Sequence, residues 1–303
     1  MKIQTVSLIG LGAIGAAYGR KLQQLLGDSF TVVASKERID RYNRNGITIN
    51  GERAEFSFMT PDEETAPRDL VIFATKNAEL QQAIKDMKHH IGKDTIILSL
   101  LNGISSEEEI INQTGNAHVL YSLCVGIDAV RQGHNITYSS LGKIVFGEKD
   151  KSISDDVIAV KQLFDEAGVP YEVPEDVWHA IWAKFMFNVG VNQTSAVLKA
   201  PYKHFQQIPE LQQWMESAMY EVVEISKKAG INLTEKDILH YRPILQALSP
   251  NGKTSMLQDV EAKRKTEVEF FAGKVCELGK KYNIPTPVNE QLYKIIRIME
   301  QMW

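Results

Sequence analysis

Lys184, Asn188 and Asn192 recur every fourth residue in a stretch that is otherwise apolar. Ile181, Trp182, Phe185, Met186, Phe187, Val189 and Val191 surround them. At helical spacing the three polar residues span about 80° of one face. A solvated stripe would carry more Glu and Lys and fewer Asn, so one lysine with two amides predicts the lining of a polar cleft. There the lysine could donate a proton to, or stabilise, an oxygen that gains negative charge during a reaction. The alternative is a structural hydrogen-bond network in which each polar atom is satisfied by a neighbour.

A second group lies at the N-terminus. Val6-Ser7-Leu8-Ile9 reads as a short buried strand, and Gly10, Gly12 and Gly15 then fit G-x-G-x-x-G, with Leu11, Ala13 and Ile14 between them. Ala13 to Leu26 has the composition of a helix. In that setting Gly10 makes a tight turn, Gly12 lets the backbone approach a pyrophosphate, and Gly15 lets the helix pack close on the strand. The anion would sit at the helix N-terminus, where free N–H groups converge with the positive end of the dipole. The second strand, Phe30 to Ala34, ends in Ser35-Lys36-Glu37-Arg38. No acid stands at its tip to bind a ribose 2′-hydroxyl, and two cations with a hydroxyl could hold a 2′-phosphate, which favours NADP over NAD. Thr75-Lys76 follows the strand Leu70 to Ala74, and Asn102-Gly103 follows Thr95 to Leu101. In a parallel sheet both tips converge on the glycine turn.

The elements that must position these residues divide the chain. Strand-like runs and Asn50-Gly51, a tight-turn signal, dominate up to about Pro174; helical periods follow. The expected organisation is an α/β Rossmann-type dinucleotide-binding domain over 1–173 and an all-α domain over 174–303. Its helices are Pro174 to Leu198, Pro209 to Ala229 stopped by Gly230, Thr234 to Leu248 with Asp237 in a capping arrangement, a long segment Thr254 to Tyr282, and a last helix to Trp303. A formal charge of −4 argues against a nucleic-acid or acidic-membrane partner, and no basic run suggests one. The apolar run Val6 to Ile9 is too short for a signal peptide, and no stretch of about 18 apolar residues predicts a membrane span. Cys124 and Cys276 make neither a disulfide framework nor a metal site, which fits a reducing cytoplasm. His179, His204 and His240 lack metal-ligand spacing.

Six ordered marks give the chain a resemblance over essentially its full length. They are Gly10-Leu11-Gly12-Ala13-Ile14-Gly15, Thr75-Lys76, Asn102-Gly103, Trp182-Ala183-Lys184 with Asn188 and Asn192, Ser255-Met256-Leu257-Gln258-Asp259, and Arg264-Lys265-Thr266-Glu267. The sequence resembles the ketopantoate reductase (2-dehydropantoate 2-reductase) family. The resemblance implies NADPH-dependent reduction of ketopantoate to pantoate, in pantothenate and coenzyme A biosynthesis. It implies that the glycine loop binds NADPH and that Lys184 is the general acid. Glu267 would help hold the substrate and the lysine, Ser255 the keto-acid carboxylate, and Lys76 and Asn102 would lie at the cofactor–substrate junction. Asn188 and Asn192 are candidate substrate ligands on the same helix.

Two positions depart from the family pattern. Many members carry Arg where this chain has Ser35, so the phosphate contact shifts toward Lys36 or Arg38. Some carry Asn three residues before the motif serine; that position is Gly252 here, with Asn251 beside it as the substitute. A small 2-keto acid is the implied partner, with a homodimer as a candidate assembly. Two alternatives stay open: a related NAD(P)-dependent 2-hydroxy-acid dehydrogenase with another substrate, and a non-catalytic NADP sensor. A straight helix would hold Ser255 and Glu267 about 18 Å apart, so the segment carrying them is expected to bend or to become regular only after Ser255.

Overall fold

Val6–Ile9 forms β1, buried along its whole length rather than alternately. Such a run suits a parallel strand covered by helices on both faces. The computed structural model describes residues 2–303, and the chain divides between Val177 and Trp178 into two compact units.

In the first unit β1 is joined by β2 (Phe30–Val33), β3 (Thr48–Ile49), β4 (Glu52–Arg53), β5 (Ser57–Met59), β6 (Leu70–Phe73), β7 (Ile96–Ser99), β8 (Val119–Val125), β9 (Val130–Gln132), β10 (Asn135–Thr137), β11 (Lys143–Gly147) and β12 (Tyr171–Glu172). The main sheet runs β12-β11-β8-β7-β6-β1-β2-β5, and β4-β3-β10-β9 form a smaller one. From β5 to β8 all neighbours are parallel, whereas β11 is antiparallel to β8. The register aligns Ile9 with Val33 and Phe73, and Phe73 with Ser99. The chain therefore leaves β1, β2, β6 and β7 at one edge of the sheet. The order reverses between β1 and β6, the topological switch point at which open α/β sheets bind ligands.

The helices of this unit are α1 (Ala13–Leu26), α2 (Lys36–Asn45), α3 (Leu80–Asp86), α4 (Ser106–Thr114) and α5 (Asp155–Ala167). Leu8 and Ile72 join a core with Tyr18, Leu22 and Phe164 of α1 and α5. Ile9, Val71 and Phe73 join the opposite core with Leu80, Ile84 and Ile110 of α3 and α4. Asn50 and Gly51 both have positive φ, 51° and 82°, as the β3–β4 turn requires.

Helices α6 (Val177–Leu198), α7 (Tyr202–Gln207), α8 (Pro209–Lys228), α9 (Glu235–Ala247), α10 (Ser255–Glu261), α11 (Ala272–Tyr282) and α12 (Pro287–Gln301) complete the chain. Thr234 and Asp237 form the capping box that opens α9. The segment 254–282, expected from sequence to bend or to become regular only after Ser255, starts its first helix at Ser255 and is then broken outright. Helix α10 ends at Glu261, Lys263 turns the chain with φ 51°, and α11 starts at Ala272.

One buried acid sits near the edge where β7 ends. Glu107, in the first turn of α4, is 2% exposed. It accepts hydrogen bonds from Ser106 Oγ at 2.9 Å and Ser122 N at 3.3 Å. Burial outweighs both bonds and pushes its carboxyl up to about 7. An acid whose folded-state pKa is raised loses stability as pH climbs from the ordinary carboxylate range to that value, because the unfolded chain releases its proton first. Glu107→Gln removes this slope. Thermal melts of both proteins should show the variant gaining relative to the parent between about pH 4.5 and 7, by up to a few kcal/mol, with no further gain above. A difference that does not change with pH would count against the assignment.

Candidate functional site

Gly10 follows β1 with φ +99°, and a Cβ there would lie 2.5 to 2.6 Å from the backbone of Ala74 and Thr75. A Cβ at Gly15 would overlap the carbonyl oxygen of Gly10. Packing of α1 against the ends of β1 and β6 therefore needs both glycines. Gly12 differs: nothing lies within 4 Å of a Cβ placed on it, and it is the N-cap of α1 with no side chain capping the helix. The leading N–H groups of a helix have no partner within it. Beside this opening Thr75 Oγ1 is buried without a hydrogen-bond partner. An open, uncapped helix start at a switch point, next to an orphaned hydroxyl, fits the diphosphate of a dinucleotide.

Helix α2 begins at the tip of β2. Ser35 is its N-cap and accepts from Arg38 N at 3.4 Å, so this hydroxyl already supports the helix. Lys36 is exposed. The Arg38 guanidinium lies 3.3 Å from Glu79 in an exposed ion pair. Such pairs contribute only about 0–1 kcal/mol and exchange readily for another anion. Lys76 caps the short turn Asn77–Glu79 after β6. Asn102 follows β7, and its carbonyl accepts from Asn77 Nδ2 at 2.9 Å. The sheet thus brings Gly10, Gly12, Ser35, Lys36, Arg38, Lys76 and Asn102 to one edge.

Two participants were not visible in the sequence. Asn77 is 6% exposed and ties the tip of β6 to that of β7. Arg131, on β9 of the small sheet, donates to the carbonyl of Leu11 and lies 5.5 Å from the ring centre of Tyr42 on α2. Neither belongs to a local motif; only the fold brings them there.

In the second unit Lys184 and Asn188 are half-buried on α6, and Asn192 is buried at 6% exposed. Ser195 falls about 20° from Lys184 around the helix and extends the stripe by a turn. Its hydroxyl donates to Ala200 O at 2.7 Å and accepts from Thr254 Oγ1 at 3.1 Å. Thr254 in turn caps α10, accepting from Leu257 N at 3.1 Å, so Ser255 stands at a helix start tied to α6. Ser255 and Asn251 are both exposed. A side chain at Gly252 would meet Ser249 O at 2.9 Å and the Tyr202 ring at 3.0 Å. Glu267 is half-buried ahead of the turn Val268–Phe270. Its neighbour Thr266 gives both N–H and hydroxyl to Glu300 Oε1, at 2.8 and 2.6 Å. Among the described residues no group of three or more His, Cys, Asp or Glu could hold a metal ion.

Residues 6–151 match the family model "Ketopantoate reductase PanE/ApbA", and residues 176–300 match the corresponding C-terminal model. The chain belongs to the ketopantoate reductase family. It is an oxidoreductase. A 2-dehydropantoate 2-reductase of Aquifex aeolicus is 27% identical over 299 residues, covering 97% of this chain and 96% of that one. A dimeric ketopantoate reductase of Staphylococcus aureus superposes with TM-score 0.83 at 21% identity, covering 98% of this chain and 99% of that one. A D-mandelate dehydrogenase, solved with NADH and anilino(oxo)acetate, superposes with TM-score 0.86 at 21% identity over 98% and 99%. Among the described residues no helix of this ketopantoate reductase family member is long and apolar enough to cross a membrane.

The glycines separate packing from binding. Gly10→Ala should lower Tm markedly, because a strained φ and a backbone overlap together cost at least about 2 kcal/mol. Gly12→Ala should leave Tm within error and weaken dinucleotide binding, read by fluorescence titration, on the order of tenfold. Equal losses of Tm in the two variants would mean that Gly12 is also a packing residue.

Proposed function

We propose that this protein reduces 2-dehydropantoate to pantoate, with the region 1–173 holding NADPH and the region 174–303 holding the keto acid and the proton donor. What supports this reading above all is the composition of α6. A half-buried lysine with Asn188 and Asn192 on one stripe of an otherwise apolar helix serves a polar substrate; binding a dinucleotide alone needs none of them.

NADPH, when bound, supplies hydride to C2 of the keto acid. Gly12 and the leading N–H groups of α1 receive its diphosphate, with Leu11, Ala13 and Ile14 shaping the turn and Gly10 and Gly15 holding it in place. Lys36 and Arg38, with the Ser35 hydroxyl, take the 2′-phosphate, and Lys76 and Asn102 hold the nicotinamide end. Lys184 Nζ gives its proton to the C2 oxygen as negative charge develops there, and Glu267 orients the lysine and the substrate hydroxyl. Ser255 and Asn251 bind the carboxylate, and Asn188 and Asn192 orient the remaining oxygens. The protein works as a homodimer in the cytoplasm, consistent with the dimeric relative.

One observation favours a second reading, a 2-hydroxy-acid dehydrogenase for a different keto acid. At Gly252 the backbone has no side chain to offer a carboxylate, and the Tyr202 ring occupies the adjoining space. A panel of 2-keto acids run with each cofactor, followed at 340 nm, decides between them. Ketopantoate with NADPH should give the highest kcat/KM. A higher value for another keto acid would establish the second reading, and no oxidation with any would leave only a dinucleotide sensor.

The cofactor ratio is a separate expectation. A charge-assisted phosphate contact contributes about 1.5–3 kcal/mol, so kcat/KM with NADPH should exceed that with NADH by roughly tenfold to a hundredfold. Equal values would remove Lys36 and Arg38 from the phosphate site. Lys184→Ala should lower kcat by at least about 10²-fold while Tm and NADPH affinity stay near the parent. Turnover within a few-fold of the parent, in a folded protein, would take Lys184 out of the reaction.

A further inference from the structure

Helix α6 carries three fully buried polar side chains that the reaction does not use; Thr194 bonds within its own helix, whereas Gln193 and Ser195 reach other elements. Gln193 and Ser195 are each 0% exposed. A buried amide costs free energy unless each of its atoms is satisfied, and an apolar residue at 193 would avoid that cost. The partners of the two side chains indicate what they do. Ser195 accepts from the hydroxyl of Thr254, the residue immediately before Ser255. Gln193 Oε1 accepts from Ala272 N at 2.9 Å, at the start of α11 and five residues after Glu267. Its Nε2 is held in place by Val189 O at 2.7 Å and Asn289 Oδ1 at 3.2 Å. Phe185, the residue after Lys184, packs against Phe271 with ring centres 6.4 Å apart.

These ties matter because no continuous helix joins Ser255 to Glu267, and between α10 and α11 only the single turn Val268–Phe270 is helical. Helix α10 stops at Glu261 and α11 starts at Ala272, with a left-handed residue at Lys263 between them. Continuity of a helix therefore cannot set the distance from Ser255 to Glu267. The start of α10 and the start of α11 are instead each fastened to the helix that bears Lys184. We propose that Gln193 and Ser195 are positioning residues of the reductase site: Ser195 places Ser255 through Thr254, and Gln193 places Glu267 through Ala272. The inference rests on the roles given to Ser255, Glu267 and Lys184 above. Buried, fully bonded polar side chains specify one geometry where apolar packing would tolerate several.

The two residues act on different kinetic constants. The carboxylate contact is made equally in ground and transition states, so Ser195→Ala should raise KM for the keto acid about fivefold with kcat nearly unchanged. Glu267 acts together with the proton donor, so Gln193→Met should lower kcat about tenfold or more with a smaller change in KM. Should Gln193→Met fail to fold, Gln193→Asn, shorter by one methylene, replaces it with the same expectation. Double-mutant cycles add the decisive readout: Ser195→Ala should add almost nothing to KM in a Ser255→Ala background, nor Gln193→Met to kcat in a Glu267→Gln background. Parallel losses in kcat, KM and Tm for both variants, additive with the second substitutions, would overturn the inference in favour of plain stability. If Ser255→Ala raises KM and Ser195→Ala does not, the tie alone is wrong. If Ser255→Ala leaves KM unchanged, the reading of the carboxylate site has failed, and this inference falls with it.

Discussion

The structure of the second unit turns on one constraint: a helix buried on almost every side must still carry polar groups. Burying polar groups is costly unless each finds a partner. Helix α6 meets that condition by directing some of its polar side chains to its neighbours. Gln193 reaches α11 and α12, Ser195 reaches the cap of α10, and Thr194 returns its hydroxyl to Gly190 O of its own helix at 2.7 Å. Gly190 lets α6 lie against α8, where a Cβ would meet Met219 and Met215 at 2.6 to 3.0 Å. The polar face that contains Lys184 thus belongs to an element anchored on several sides.

The first unit solves a different problem by different means. The features proposed to bind the dinucleotide are made by backbone and register rather than by buried side chains. In-register β1, β2, β6 and β7 bring four loops to one edge, and the reversal of strand order opens the space above β1 and β6. Gly10 and Gly15 let α1 start there, while Gly12 keeps its first turn uncovered. Asn77 and Arg131 then fix the loops from outside, each through a backbone carbonyl. The carbonyls they hold belong to Asn102 and Leu11, so both loops are shaped by hydrogen bonds to the main chain.

What could be read from sequence follows from how local each signal is. The glycine turn, α1 from Ala13 to Leu26, the Asn50-Gly51 hairpin and the Thr234–Asp237 capping box each depend on neighbours a few residues apart, and each forms as its composition indicates. The polar stripe of α6 was legible for the same reason, because helical period alone defines a face. The break between α10 and α11 was legible only as a geometric need. Lys263 adopts a left-handed conformation without being Gly or Asn, so composition does not mark the spot. Arg131, Asn77, Gln193 and Ser195 were missed because their partners lie far along the chain. Ser195 stands 59 residues from Thr254, and Gln193 stands 79 from Ala272.

Reduction of a 2-keto acid at C2, with α6 providing the proton, is the proposed reaction. Isotope transfer tests it most directly: the protein is supplied with ketopantoate and NADPH deuterated at C4 of the nicotinamide, and the hydroxy acid is examined by NMR. Deuterium should appear at C2 of the product from one of the two C4-deuterated diastereomers and not from the other. Product without deuterium from either, or loss of NADPH absorbance with no hydroxy acid formed, would contradict it.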